Sequence, residues 1–166
     1  MVYLYKCCFS RSEMFSDAFP TEEDYNGFVM KVKSSIVEKA ALKMDVGDCE
    51  DLEDKDERVN DIVDGFNYNQ STFTKAQFVS WAKEYLKAIV ARLKENEKDD
   101  EYVKNFQTNS GNFIKAVVGK FEDYTFFLNE ENDMAGALAI SCWVDSENDK
   151  GPTFYYLKDG LTREKI

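Results

Sequence analysis

Residues 73–95 read FTKAQFVSWAKEYLKAIVARLKE, and their reading decides the fold class. Thr74, followed three positions later by Gln77, has the form of a capping box, in which each side chain satisfies the other residue's backbone N–H. Downstream, Phe78, Ala82, Tyr85, Leu86, Ile89 and Leu93 recur at i, i+3, i+4 spacing. That spacing predicts an amphipathic helix of about five turns. The polar segment ENEKDDE (95–101) interrupts the period. Val103, Phe106, Ser110, Phe113, Ile114, Val117, Val118 and Phe121 then restore it, so a second helix is predicted to pack back on the first. Asn109 to Gly111 weakens its middle and predicts a bend.

On both sides of this hairpin the period falls to two. VYLYKCCF (2–9) consists mostly of β-formers and reads as a strand. SRSEMFSDAFP (10–20) reads as a loop or edge segment closed by Pro20, with Met14 and Phe15 plugging the core. GFVMKVKSS (27–35) predicts a half-buried strand, with Phe28, Met30 and Val32 on one face and Val29, Lys31 and Lys33 on the other. VNDIVDGF (59–66) reads as a short strand ending at Gly65. FEDYTFFL (121–128), ALAISCWV (137–144) and TFYYLKDG (153–160) are strands separated by polar, Gly-containing linkers. The class is α+β: a mainly-β frame (1–38, 59–72, 121–166), opened by an inserted antiparallel helical hairpin (73–120). Residues 39–58 form a flexible loop; within it, 45–58 hold eight carboxylates in fourteen residues, too polar to pack.

Composition narrows the chemistry. The 166 residues suit one domain, 43% hydrophobic and 14% aromatic, enough to build a core. A net charge of −11 disfavours nucleic acid and anionic lipid as main partners. There is no histidine, so a Ser-His or Cys-His nucleophile is impossible. Four cysteines without a CxxC pair build no zinc constellation and read as reduced thiols. No GxxxxGK[ST] or GxGxxG phosphate cradle is present. The N-terminus lacks a signal-peptide pattern, and no apolar run reaches the roughly 20 residues of a membrane span. The expectation is a cytoplasmic, monomeric, non-enzymatic protein with no obligatory cofactor.

Two charge features stand out. Between Lys75 and Lys120, nine Lys/Arg face six Asp/Glu, so the hairpin is a net-positive segment of an acidic chain. Its Lys83, Lys87, Arg92 and Lys94 offer an acidic partner a surface, with Arg92 off the stripe that the other three approximate. In FFLNEENDMAGALAISCW (126–143), Glu130, Glu131 and Asp133 are candidates for weak calcium binding. One linear turn rarely supplies the six to eight oxygens of a tight site, so the stretch reads first as a hairpin turn.

SEMFSD (12–17), DIV (61–63), FTKAQFVSWAKEYLKAIVARLKE, FEDYTFFLNEENDMAGALAISCW and PTFYYLKDGLTREKI (152–166) occur in an order and spacing that resemble the translationally controlled tumour protein family. The resemblance spans essentially the whole chain. It implies a tent-like frame akin to Rab exchange factors, and a growth- and survival-related protein that binds tubulin, small GTPases, anti-apoptotic proteins and calcium. Glu13 matches the glutamate which the family is proposed to turn on Ras-like GTPases, where a carboxylate would disturb the magnesium and the P-loop lysine. Three departures accompany the likeness. The loop signature is replaced by nearly pure acid, Asn129-Glu130 stands for the family's Gly-Glu, and Ile166 stands where cysteine is common, which removes thiol-linked dimerisation there.

Overall fold

The computed structural model describes residues 3–38, 58–129, 136–144 and 147–165. The acidic loop 39–57 lies outside them, as do Glu130, Glu131 and Asp133. The first third of the chain supplies β1 (Tyr3–Cys7), β2 (Glu13–Ser16), β3 (Thr21–Asp24), β4 (Val29–Lys33) and β5 (Ile36–Glu38). Beyond the loop come β6 (Arg58–Asn60), α1 (Asp61–Gly65) and β7 (Asn69–Ser71). The hairpin helices are α2 (Lys75–Glu95) and α3 (Asp100–Gly119). The chain then forms β8 (Thr125–Leu128), β9 (Ala139–Cys142), β10 (Thr153–Leu157) and β11 (Leu161–Lys165).

The strands make three antiparallel sheets: β11-β1-β2, β3-β4-β10-β9-β8-β7 and the pair β5-β6. Early strands therefore pair with late ones, Tyr5 opposite Arg163 and Met30 opposite Tyr156. The α+β class expected from the two periods is what the chain adopts. Aromatic rings join the layers. Phe15 of β2 stacks on Tyr5 and on Tyr156, with ring centroids 4.6 Å apart in each pair. The buried Tyr68 hydroxyl bonds to the Met14 carbonyl and lies 2.7 Å from the Tyr156 hydroxyl. The small sheet is thus fastened to the large one by apolar contact and satisfied hydroxyls together.

The helix prediction holds in detail. Thr74 accepts from the Gln77 N–H, and the Gln77 side chain accepts from the Thr74 N–H, closing the capping box. Asp99 caps α3 by accepting from Tyr102. Phe78, Ala82, Tyr85, Ile89 and Leu93 are buried. Trp81, which the apolar series omits, is buried with them, its indole donating to the Gly136 carbonyl at 3.1 Å. Phe78 packs on Phe126 of β8, and Phe113 on Tyr155 of β10.

Three readings change, and one is sharpened. VNDIVDGF is not one strand: Asn60 ends β6, and its side chain accepts from the Ile62 and Val63 N–H groups, starting α1 at Asp61. A capping asparagine overrides the β-branched composition that suggested extension. SEMFSD holds a true strand, β2, at the edge of its sheet; Met14 and Phe15 are both fully buried because core covers both of its faces. Val29 is as buried as Val32, so the face it shares with Lys31 and Lys33 is covered at the start of β4. The helix α3 runs through Asn109–Gly111 without interruption. Asn109 bonds to the Asn105 carbonyl and accepts from Asn26, tying the β3–β4 turn to the helix.

Candidate functional site

Glu13 opens β2 with its side chain exposed, while Met14 and Phe15 behind it are buried. Its backbone position is therefore set by the core. Across the sheet it stands opposite Lys6, whose ammonium makes a 2.8 Å ion pair with Glu164 on β11. That hydrogen bond and charge raise the Lys6 pKa, with Glu13 a lesser contributor. The backbone of Glu13 is thus held in place, and its side chain is exposed on the strand beside the Lys6–Glu164 pair.

The four basic residues of α2 separate into two groups. Lys83, Lys87 and Lys94 are exposed, and at 3.6 residues per turn they fall on one stripe, roughly opposite the buried side. Arg92 is half-buried on another face. Its charge acts on Cys8, Tyr85 and Asp159, lowering the pKa of each against the upward push of burial. Arg92 therefore acts at the joint between α2 and the frame, and the exposed stripe consists of the three lysines.

Burial holds two of the thiols, and two buried tyrosines, in their protonated forms. Burial pushes the Cys8 thiol up to about 11 and raises Cys142 as well. A thiol with a raised pKa carries little thiolate at neutral pH. Tyr68 and Tyr156 are fully buried, which raises both hydroxyls. Among the described residues, no group of three or more His, Cys, Asp or Glu side chains is placed to hold a metal ion. No helix among them is long and apolar enough to cross a membrane.

A model of the family described as "Translationally controlled tumour protein" matches residues 2–162. The chain belongs to the translationally controlled tumour protein family. Curated relatives agree: a "Translationally-controlled tumor protein homolog" of Gibberella zeae is 30% identical, with 98% of this chain and 99% of that protein covered. The Dictyostelium discoideum homolog 1 is also 30% identical, with 95% and 94% covered. Among solved structures, the tumor-associated protein p23fyp of Schizosaccharomyces pombe superposes with a TM-score of 0.78 at 30% identity, covering 99% of each chain. The Caenorhabditis elegans member shares the fold with a TM-score of 0.75 at 22% identity, covering 99% of this chain and 98% of that one. Membership in the tumour protein family agrees with a protein that acts through protein partners.

Asn129, just after β8, is fully buried, and its amide donates to the Ser10 hydroxyl at 3.3 Å. Asn129 therefore places a polar tie between the end of β8 and the loop after β1. Sequence reading also missed the burial of Trp81, which joins Phe73 and Tyr85 in the core beneath α2. The one available signal was Trp81 itself, a large ring one helical turn before Tyr85.

Proposed function

We propose that this chain is a non-enzymatic, cytoplasmic interaction protein of the translationally controlled tumour type, with the acidic tails of tubulin as one partner. The observation that carries the reading is the exposed Lys83–Lys87–Lys94 stripe on α2, in a protein otherwise strongly acidic. Lysines on one stripe present several charges to one acidic segment, while the surrounding negative charge repels other orientations. Microtubule co-sedimentation with Lys83→Glu and Lys87→Glu tests it: binding weakens and becomes less sensitive to salt, whereas unchanged binding removes the stripe from the account. Survival proteins are carried over from the family as further partners, with no residue here assigned to them. Weak calcium binding by Glu130, Glu131 and Asp133 belongs to the same reading. A millimolar calcium titration followed by amide shifts should move residues 129–133, and silence there discards it.

A second reading is regulation of nucleotide exchange on a Ras-like small GTPase through Glu13. It is favoured by an exposed carboxylate held on a strand whose next two residues are fully buried. Release of GDP from a loaded GTPase would be accelerated by the native protein and not by Glu13→Ala. Equal rates with both proteins would end this reading.

A further inference from the structure

The turn between β3 and β4 carries Asn26 followed by Gly27, and no other asparagine of the chain precedes a glycine. Three successive residues there hold positive φ: Tyr25 at 52°, Asn26 at 58° and Gly27 at 88°. Glycine adopts that region freely and asparagine tolerates it, but an aromatic residue is strained in it. Side chains of α3 hold the turn in place. The Tyr25 ring packs edge-on against Phe113 with centroids 5.6 Å apart, and the Asn26 amide donates to Asn109 Oδ1 at 2.9 Å. Asn26 is exposed. A Cβ built on Gly27 would meet, apart from its chain neighbours, only Glu23 Oε1 among the described residues, at 3.7 Å. The Asn26–Gly27 bond is therefore open to solvent.

Asparagine before glycine is the pair most prone to cyclise, because no side chain crowds the glycine nitrogen. The Gly27 backbone nitrogen attacks Asn26 Cγ. A new N–Cγ bond closes a succinimide ring, the Cγ–Nδ2 bond breaks, and ammonia leaves with the proton from the Gly27 nitrogen. Water then opens the ring at either carbonyl and leaves aspartate or isoaspartate. Two contacts oppose the first step: the Gly27 N–H donates to the Asp24 carbonyl at 3.1 Å, and Asn109 holds the amide. Both lie at the surface, in a turn whose own conformation is costly, so local opening frees the nucleophile and the amide together. The product cannot restore the tie. A carboxylate has no proton to donate to Asn109 Oδ1, and its charge falls beside Asp24 and Glu23. For Asn109 to donate instead, its amide must turn round and give up the Asn105 carbonyl. Isoaspartate also lengthens the backbone of the turn. We propose that Asn26 is a site of spontaneous deamidation, gated by its bond to Asn109, and that conversion loosens the β3–β4 turn from α3. The inference is independent of the lysine stripe and of Glu13.

The test holds the full chain in mildly alkaline buffer and samples it over time. Peptide mass spectrometry locates the amide-to-acid change, and labelling by an isoaspartate methyltransferase detects the isomer. Asn26 is expected to convert ahead of every other asparagine, with isoaspartate the larger product. Asn109→Ala, at a half-buried position where alanine favours the helix, should speed conversion about fivefold while the circular dichroism stays native. Asn26→Gln should leave the site silent over the same period. Asn26→Asp should move the amide shifts of Asn105, Asn109 and Phe113, with the β11-β1-β2 sheet unchanged. Asn26 left intact in the folded chain, over the time in which the urea-unfolded chain converts there, would overturn the site. Equal rates in the native chain and Asn109→Ala would overturn the gate, and native shifts at 105–113 in Asn26→Asp would overturn the release.

Discussion

Tyr102 on α3 donates its hydroxyl to Asp159, in the turn between β10 and β11, at 2.9 Å from one carboxylate oxygen and 3.1 Å from the other. This pair connects the second hairpin helix to the frame. Burial raises the Asp159 pKa, while the Tyr102 hydrogen bond and the charges of Lys98, Lys158 and Arg92 act downward. The same burial, with Asp159 beside it, pushes Tyr102 up to about 12.

The sign of the pH effect follows. A carboxyl whose pKa is higher in the folded than in the unfolded chain binds more protons when folded, so its contribution falls as pH rises between the two values. The unfolded value is near 3.8. Asp159→Asn keeps an acceptor for Tyr102 and removes the titration. Urea unfolding as the pH rises above the unfolded value near 3.8 should therefore show a gain for the variant over the native chain that grows with pH. A constant difference would mean that Asp159 does not titrate differently in the two states. Tyr102→Phe removes the neutralising donor and should cost about 1 kcal/mol at neutral pH.

Gly160 touches the same joint from beneath. A Cβ there would lie 1.9 Å from the Tyr85 hydroxyl oxygen and 2.8 Å from its Cζ. Tyr85 cannot retreat easily, being stacked on Trp81 and packed edge-on against Phe9. Gly160→Ala should destabilise by about 1–3 kcal/mol, read as a fall in Tm.

The Tyr85 hydroxyl is buried with no hydrogen-bond partner. Tyr85→Phe removes a desolvated polar group and should leave Tm unchanged or raised. Combined with Gly160→Ala, it should recover part of the alanine penalty, because the nearer of the two clashing atoms is gone. A Tyr85→Phe protein clearly less stable than native would show that the hydroxyl has a partner in solution.

Thr74→Ala opens the capping box of α2 and should cost about 1 kcal/mol. Thr74→Ser should cost less, since the hydroxyl is kept. Chemical denaturation of the three proteins gives the order directly.

The hairpin was legible because two independent signals, a cap and a long 3.6-residue period, pointed to the same element. The β3 strand was not, since Thr21–Asp24 carries no apolar alternation. Its pairing comes from β4, helped by Lys31 reaching Glu22 and Asp24 at 3.7 and 3.8 Å. Likewise β7, Asn-Gln-Ser, is extended only because β8 offers it a partner. Edge strands of this kind are specified by neighbours rather than by their own composition. Among the site residues, Arg92 was read as off the lysine stripe, and it lies in the joint. Glu13 was placed in a loop or edge segment and is the first residue of an edge strand. Trp81 was missed because it lies outside the apolar series read from the sequence, and it is buried in the core.

The central claim is that an exposed lysine stripe on α2 works as a protein-docking surface on a scaffold that turns nothing over. The most direct measurement is the microtubule affinity of the native chain, of the triple variant Lys83→Glu/Lys87→Glu/Lys94→Glu, and of Arg92→Gln, at low salt and at physiological salt. The account predicts a loss on the order of tenfold or more for the triple variant, a reduced salt dependence, and near-native binding for Arg92→Gln once its fold is confirmed. Native affinity in the triple variant at both salt concentrations would contradict it.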